Sequence, residues 1–458
     1  MAGPDVVIVG GGLAGSEAAW QCARRGLSVR LYEMRPVRPT PAHRSDRLAE
    51  LVCSNSFKSV ELTSAHGLLK AELRELGSLI MQCAEEARLP AGAALAVDRE
   101  LFAERVTERI ESEPRIEVVR EEVKRIPERG PAILATGPLS SDAMAEEIAR
   151  FAGEANLAFY DAISPVVEAS SIDWSVAFRA SRYGKGSGQD YVNCPMTREE
   201  YDAFYDALIA ATRADLHDFD RELLFEGCLP IEELALRGRD TLRFGPMKPV
   251  GLVDPRTGRR PWAVVQLRQD DLAATHYSLV GFQNRLRQGE QRRIFRMIPG
   301  LERARFVRYG MIHRNTYVNA PRVLLPTFQT RRRPDLLIAG QLSGVEGYTE
   351  STASGLLAGL SAAALVLGRR PPVFPAACAL GALQRYVSGA NPDHYQPANF
   401  AFGLLPPLED PPRRRRERRA ALVERALAAL RDYLRDEPLA LPGPPPGAAA
   451  AEPGAERR

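Results

Sequence analysis

Two kinds of residue in this chain could do chemistry: glycines that could seat a phosphate and cysteines that could act as nucleophiles. Gly10-Gly11-Gly12-Leu13-Ala14-Gly15 has the spacing G-x-G-x-x-G. Gly10 permits a tight turn, Gly12 lets the backbone approach a pyrophosphate, and Gly15 lets a helix pack close to a strand. Of the six cysteines, Cys22, Cys53, Cys83, Cys194, Cys228 and Cys378, none forms a CxxC pair or a His/Cys cluster at zinc-ligand spacing. They read as reduced thiols, with no metal site and no disulfide framework. Cys228 stands just before Pro230-Ile231-Glu232-Glu233-Leu234, a helix-start pattern, and a thiol at a helix N-terminus ionises more easily. Cys22 and Cys83 lie among apolar helical neighbours and read as core fillers.

The elements around the glycine turn give it its meaning. Asp5 to Val9 predicts a strand, Gly15 to Arg25 a helix and Ser28 to Glu33 a second strand, a βαβ opening. The helix N-terminus offers free N–H groups and a positive dipole end to phosphates. Glu33, ending the second strand, is placed to accept hydrogen bonds from a ribose. Later, Ala135-Thr136-Gly137 ends a buried strand that starts at Pro131, and Ile338-Ala339-Gly340, followed by Gln341, ends another. Such pieces are typical of flavoproteins, so the dinucleotide is read as FAD, with Thr136, Gly137, Gly340 and Gln341 toward its flavin end. Only one dinucleotide fingerprint is present, so a reduced nicotinamide would visit the flavin without a Rossmann domain of its own.

Elsewhere, Ser64 to Ala87 predicts one amphipathic helix and Arg99 to Ile110 another. Ile116 to Val119 and Glu122 to Ile126 predict strands, and Ser351 to Gly368 a helix of small residues. Between about Asp161 and Pro321 the pattern loosens into short strands punctuated by Pro and Gly. The expected fold is α/β: a discontinuous Rossmann-like FAD-binding domain over 1–160 and 321–436, with an inserted α+β domain over 161–320 facing substrate. Residues 437–458, mostly Pro, Ala and Gly, predict a disordered tail.

A formal net charge of +3 over 458 residues hides clusters of arginine. Arg331-Arg332-Arg333 precedes the late strand and predicts a basic lip for RNA phosphates. Arg413 to Arg419, broken only by Glu417, reads as a solvated helical face at least as readily as an RNA contact. No signal peptide is read at the N-terminus and no stretch reaches the roughly 20 apolar residues of a membrane span. The location expected is the cytoplasm.

Several longer stretches resemble TrmFO, the folate- and FAD-dependent tRNA uracil-5-methyltransferases, a family related to the wobble-uridine-modifying flavoproteins. They are Ala49 to Phe57 (AELVCSNSF), Tyr191 to Met196 (YVNCPM), Phe225 to Glu232 (FEGCLPIE), Arg243 to Leu252 (RFGPMKPVGL), His313 to Thr316 (HRNT) and Gly340 to Tyr348 (GQLSGVEGY). The match runs over about residues 5 to 410, with mild departures such as Ser343 and Thr349, where the family pattern has Thr and Val.

The resemblance implies methylation of carbon 5 of a uridine in tRNA, at T-loop position 54. It implies 5,10-methylenetetrahydrofolate as carbon donor, FAD as carbon and electron carrier, and NAD(P)H as reductant. It also implies Cys228 as the nucleophile that adds to uracil carbon 6, and Cys53 as a second functional cysteine; no spacing argument forbids exchanging their roles. His313, Arg314, Asn315 and Tyr348 are candidates for holding the folate. The same chemistry on a uridine of 23S ribosomal RNA, or a flavin oxidoreductase acting on a small molecule, are the competing readings. Oligomeric state has no signature in the sequence.

Overall fold

The computed structural model describes residues 3–40, 42–153, 158–162, 164–213, 229–310 and 312–437. Val6–Val9 (β1) leads through the glycine turn into Leu13–Ala23 (α1), and Val29–Glu33 (β2) follows. Ser56–Ser59 (β3), Arg88–Leu89 (β4) and Ala94–Val97 (β5) pair antiparallel in the order β3-β5-β4. Ala65–Glu75 (α2) and Leu79–Glu86 (α3) fall between the first two of these strands, and Arg99–Glu111 (α4) follows the third. Next come Ile116–Arg120 (β6) and Ala132–Leu134 (β7).

The chain then passes through Ala158–Ala162 (β8), Val166–Glu168 (β9), Phe178–Arg179 (β10), Tyr191–Met196 (β11), Ala263–Gln269 (β12) and His276–Leu279 (β13). Phe306–Arg308 (β14), Ile312–Thr316 (β15) and Leu336–Ile338 (β16) complete the strands described.

The last of these strands returns to the first sheet. β16 pairs parallel with β7, Leu336 opposite Ala132, and the five-stranded parallel order is β16-β7-β1-β2-β6. Ile8, Leu31, Ile133 and Leu337 in it are fully buried, as expected of a parallel sheet covered on both faces. One cover is the helix Tyr348–Val366, which crosses α1 at very short range. A Cβ on Gly355 would lie 2.2 Å from the Ala14 carbonyl oxygen, and the Cys22 thiol donates to the Gly359 carbonyl at 3.4 Å. That approach is why the helix is built from small residues.

The inserted strands make an antiparallel six-stranded sheet, β10-β11-β12-β13-β9-β14, and a two-stranded ladder, β15-β8. Buried apolar residues divide into two large clusters. One surrounds the parallel sheet; the other joins Val167, Val192, Val265 and Leu267 to Tyr201, Phe204, Phe282 and Phe295. The architecture is therefore α/β, a Rossmann-like unit interrupted by a second, antiparallel one.

Three elements differ from the sequence expectation. The helix expected over Ser64 to Ala87 is two helices, because Gly77 takes φ +69° and the Ser78 hydroxyl starts the second by accepting the Met81 N–H. Glu122 to Ile126 is not a strand: after Arg120 the chain leaves the sheet, and Glu122 and Val123 line a cavity instead. The small-residue helix begins at Tyr348, three residues early.

Candidate active site

The carboxyl ends of β1, β7 and β16 open into one cavity. Gly10, Gly11, Gly12, Leu13 and Ala14 line it, together with Glu33, Thr136, Gly137, Gly340 and Gln341. Gly10 has φ +105°, and a Cβ there would lie 2.4 Å from the Ala135 carbonyl oxygen. Gly15 does not line the cavity; it lies under Gly10, where a Cβ would come 1.8 Å from the carbonyl oxygen. Gly12 instead faces open space, with nothing within 4 Å of a Cβ built on it. It caps α1, whose first turn has no side-chain cap, so the N–H groups there are left for an anion. A dinucleotide pyrophosphate fits this cradle.

Glu33 Oε2 accepts the Gly11 N–H at 3.1 Å, while Oε1 accepts the Arg35 N–H at 3.0 Å and its Nε at 2.9 Å. Burial opposes ionisation of this carboxyl, but hydrogen bonding and charge from Arg35 outweigh it and hold the group below its ordinary value. Glu33 is thus a carboxylate that pins the turn as well as lining the cavity.

Cys53 directly follows Val52, which lines the same cavity. The Ala49 N–H donates to the Gly11 carbonyl at 2.9 Å, which lays the following loop on the glycine turn, and Glu50 and Val52 line the cavity. Tyr348 Oη accepts the N–H groups of Cys53 and Ser54. Arg99 Nη2 donates to the Cys53 carbonyl at 3.2 Å and Arg308 Nη2 at 3.4 Å. Both backbone polar groups of Cys53 are therefore held, from three separate elements.

Arg99 also bonds the Leu51 carbonyl at 3.1 Å and the Asp270 carboxylate at 3.2 Å, and Arg268 Nε donates to Asn55 Oδ1 at 2.7 Å. Burial lifts the Tyr348 phenol well above its ordinary value, so it stays neutral. Cys22, Cys83 and Cys194 are buried, and burial pushes their thiols up to about 12. Among the described cysteines only Cys53 keeps partial exposure.

The structure thus brings the glycine turn, Glu33, Thr136, Gly137, Gly340, Gln341, Tyr348 and Cys53 to one place. Cys228 lies outside the described residues; the helix Ile231–Leu236 begins three residues beyond it, as the sequence pattern reads. His313, Arg314 and Asn315 are consecutive positions of β15, in register with Asp161, Tyr160 and Phe159.

Arg331, Arg332 and Arg333 form no lip at the cavity. They precede β16 and the cavity lies beyond its other end, at Gly340. Arg331 and Arg332 donate to the carbonyls of Ser388 and Phe151, and Arg333 pairs with Asp335. A residue before a parallel strand and one after it lie at opposite ends of that strand, and the sequence reading overlooked this.

That reading also missed Arg35, Arg99, Arg268 and Arg308. Arg35 belongs to the segment from Met34 to Ser59, which is rich in Pro, Arg and Ser. The other three are scattered and only the fold collects them.

A glycine turn at the head of a parallel sheet, a late strand closing the same cavity and an inserted antiparallel sheet define a dinucleotide-binding protein of the flavoprotein class. The family model described as "Glucose inhibited division protein A" matches residues 5–370. GidA of Aquifex aeolicus, in its form II crystal, superposes with a TM-score of 0.68 at 17% identity, covering 95% of this chain and 74% of that one. Methylenetetrahydrofolate--tRNA-(uracil-5-)-methyltransferase TrmFO of Pelotomaculum thermopropionicum is 57% identical over 430 residues, covering 94% of this chain and 98% of the relative. The protein of the same name from Desulforudis audaxviator is 59% identical over 433 residues, again covering 94% and 98%. The chain belongs to the TrmFO family, within the wider GidA group. No helix among the described residues is long and apolar enough to cross a membrane. Nor do those residues hold a group of three His, Cys, Asp or Glu that could bind a metal ion.

Proposed function

We propose that this chain methylates carbon 5 of a uridine in tRNA, with 5,10-methylenetetrahydrofolate as carbon donor and FAD as bound cofactor. The target is the T-loop uridine at tRNA position 54, and NADH or NADPH is the reductant. The observation that carries the reading is a partly exposed cysteine, Cys53, whose backbone is fixed by Tyr348, a residue that lines the dinucleotide cavity, and by Arg99, in a member of this family.

Carbon 5 of uracil becomes nucleophilic only after addition at carbon 6. In this reading the Cys228 sulfur bonds to carbon 6, and the electron pair of the 5,6 double bond moves into an enolate. Carbon 5 then takes up the methylene group, whose bond to its nitrogen carrier breaks, and gives its proton to Cys53; a hydride equivalent that originates from NADH or NADPH reduces the methylene to methyl as the Cys228–carbon 6 bond breaks. Departure of Cys228 restores the double bond. Tyr348, Arg99 and Arg308 fix Cys53 for that transfer, and the glycine turn with Glu33 holds the cofactor. FAD, when bound, supplies the electron- and carbon-carrying chemistry.

The test is incubation of the holoenzyme with undermodified tRNA, labelled methylenetetrahydrofolate and NADH or NADPH, followed by mapping of the labelled base. Label in 5-methyluridine of the T-loop is expected. Label that comes from S-adenosylmethionine instead overturns the mechanism, and label in ribosomal RNA alone overturns the substrate.

A further inference from the structure

The segment Arg243 to Leu252 lines no part of the dinucleotide cavity, yet it carries side chains that the fold leaves uncovered. Phe244, at the end of the short helix Thr241–Phe244, is 82% exposed, and Tyr183 is 65% exposed. Val250 and Val253 also face solvent. Single exposed apolar residues are ordinary, but a group of them marks an interaction surface.

Hydrogen bonds join these side chains into one surface. The Lys248 N–H donates to the Gly245 carbonyl at 3.3 Å, so Phe244 and Lys248 stand on a single turn. Arg182 Nη2 donates to the Lys248 carbonyl at 2.6 Å, and the Tyr183 N–H donates to the Gly251 carbonyl at 3.2 Å. A Cβ on Gly251 would lie 3.0 Å from the Tyr183 ring, so the ring rests on bare backbone. Tyr183 itself holds φ +59°, a left-handed conformation that costs a bulky residue energy and is kept where the exposed ring has a use.

The charge on this surface is positive. Between residues 237 and 260 seven Lys and Arg face two Asp. Both carboxylates are spent, Asp240 on Arg243 at 2.6 Å and Asp254 on Arg256 at 2.9 Å. None of the described residues pairs with Lys248, and the Arg182 Nε is buried with no hydrogen bond. Exposed rings beside unpaired cations suit unpaired RNA, whose bases stack on aromatic side chains while its phosphates meet Lys and Arg. A second copy of this chain would bring the same positive charge and be repelled.

We propose that Tyr183, Phe244 and Lys248 form a docking platform for the tRNA, its unpaired loop bases on the two rings and its phosphates on Lys248 and Arg182. The proposal rests on the tRNA reading above. The platform is within reach of the same RNA arm as Cys53. Lys185, two residues after Tyr183, pairs with Glu61 at 2.6 Å, and Glu61 follows Cys53 by eight residues. Eight residues span at most about 29 Å, less than one turn of a duplex at about 34 Å.

The holoenzyme is titrated with fluorescein-labelled, undermodified tRNA by anisotropy across a salt series. Wild type is compared with Phe244→Ala, Tyr183→Asn and Lys248→Gln; asparagine suits the left-handed backbone, so the ring is removed without strain. Flavin absorbance reports whether each variant is folded. The expected result is a loss of affinity of about tenfold in each ring variant and, in Lys248→Gln, a salt dependence shallower by about one phosphate contact. In methyl transfer the loss should fall on KM for tRNA and spare kcat. Wild-type affinity in both ring variants, or a wild-type salt slope in Lys248→Gln, overturns the platform. So does sedimentation that shows a dimer dissociated by Phe244→Ala, which makes this face an interface between copies. If wild type methylates tRNA and the ring variants bind it unchanged, this inference alone falls. If the rings bind tRNA and wild type transfers no label from methylenetetrahydrofolate, the platform stands and the proposed function falls.

Discussion

Tyr348 Oη accepts the Cys53 N–H at 3.0 Å and the Ser54 N–H at 3.1 Å. One phenol thus ties the first turn of the helix that closes the dinucleotide cavity to the loop that carries the proposed proton acceptor. Phe57 packs on the same ring at a centroid distance of 5.5 Å, which fixes its direction. Tyr348→Phe keeps that packing and leaves two N–H groups without their acceptor, at roughly 1–3 kcal/mol for each buried donor. The expected variant carries a full complement of FAD and transfers methyl about tenfold or more slowly. Wild-type turnover would show that the two hydrogen bonds do not position Cys53.

The division of labour between the two cysteines is tested by covalent capture on tRNA carrying 5-fluorouridine, which traps the adduct at carbon 6. Cys228→Ala is expected to retain FAD and lose capture. Cys53→Ala is expected to retain both FAD and capture while losing turnover on ordinary tRNA. A denaturing gel that shows capture by Cys228→Ala and none by Cys53→Ala reverses the two roles.

The first third of the fold was legible because its signals are local. A strand of β-branched residues, a glycine turn and a helix give the βαβ unit and the phosphate cradle from about thirty residues, and Ala339-Gly340 marks the return to that sheet. The break at Gly77 was hidden because apolar spacing continues through it, and only the αL turn and the Ser78 cap end the first helix. Arg331 to Arg333 misled for a related reason: a charge run declares its composition but not which end of a strand it occupies. The setting of Cys53 was least visible, since Arg99, Arg308 and Tyr348 come from three elements distant in sequence. Family motifs pointed to the cysteine, and nothing in them pointed to the two arginines.

The glycine turn makes a paired prediction. Gly12→Asp puts a side chain into open space, so the fold survives, but its carboxylate then stands where the pyrophosphate binds at the N-terminus of α1. Like charges at that spot should weaken FAD binding on the order of 100-fold. Gly10→Ala fails differently, because φ +105° and a 2.4 Å approach to the Ala135 carbonyl leave no room for a methyl group. Thermal melts of the apoproteins separate the two: near wild type for Gly12→Asp, lowered for Gly10→Ala. A low-melting Gly12→Asp apoprotein contradicts the open cradle.

Glu72 on α2 places both carboxyl oxygens on the helix Ala379–Gly389, accepting the Ala379 N–H at 2.7 Å and the Leu380 N–H at 2.9 Å. Its burial dominates and raises its pKa to about 8, although the two N–H groups pull the other way. In the unfolded chain the same carboxyl titrates near 4.3, roughly the ordinary glutamate value. Between those two pH values the native state holds a proton that the unfolded state has released. Stability should therefore fall as pH rises through this window, by up to about 1.4 kcal/mol per pH unit, and the contribution should be constant below and above it. Glu72→Gln keeps an amide oxygen for one of the N–H groups and removes the ionisation. Urea unfolding of both proteins at pH 5, 6.5 and 8, with FAD saturating, should show wild type losing ground to the variant at each step. Parallel curves across that range would mean that Glu72 is already ionised in the folded protein and that the two helix N–H groups outweigh its burial.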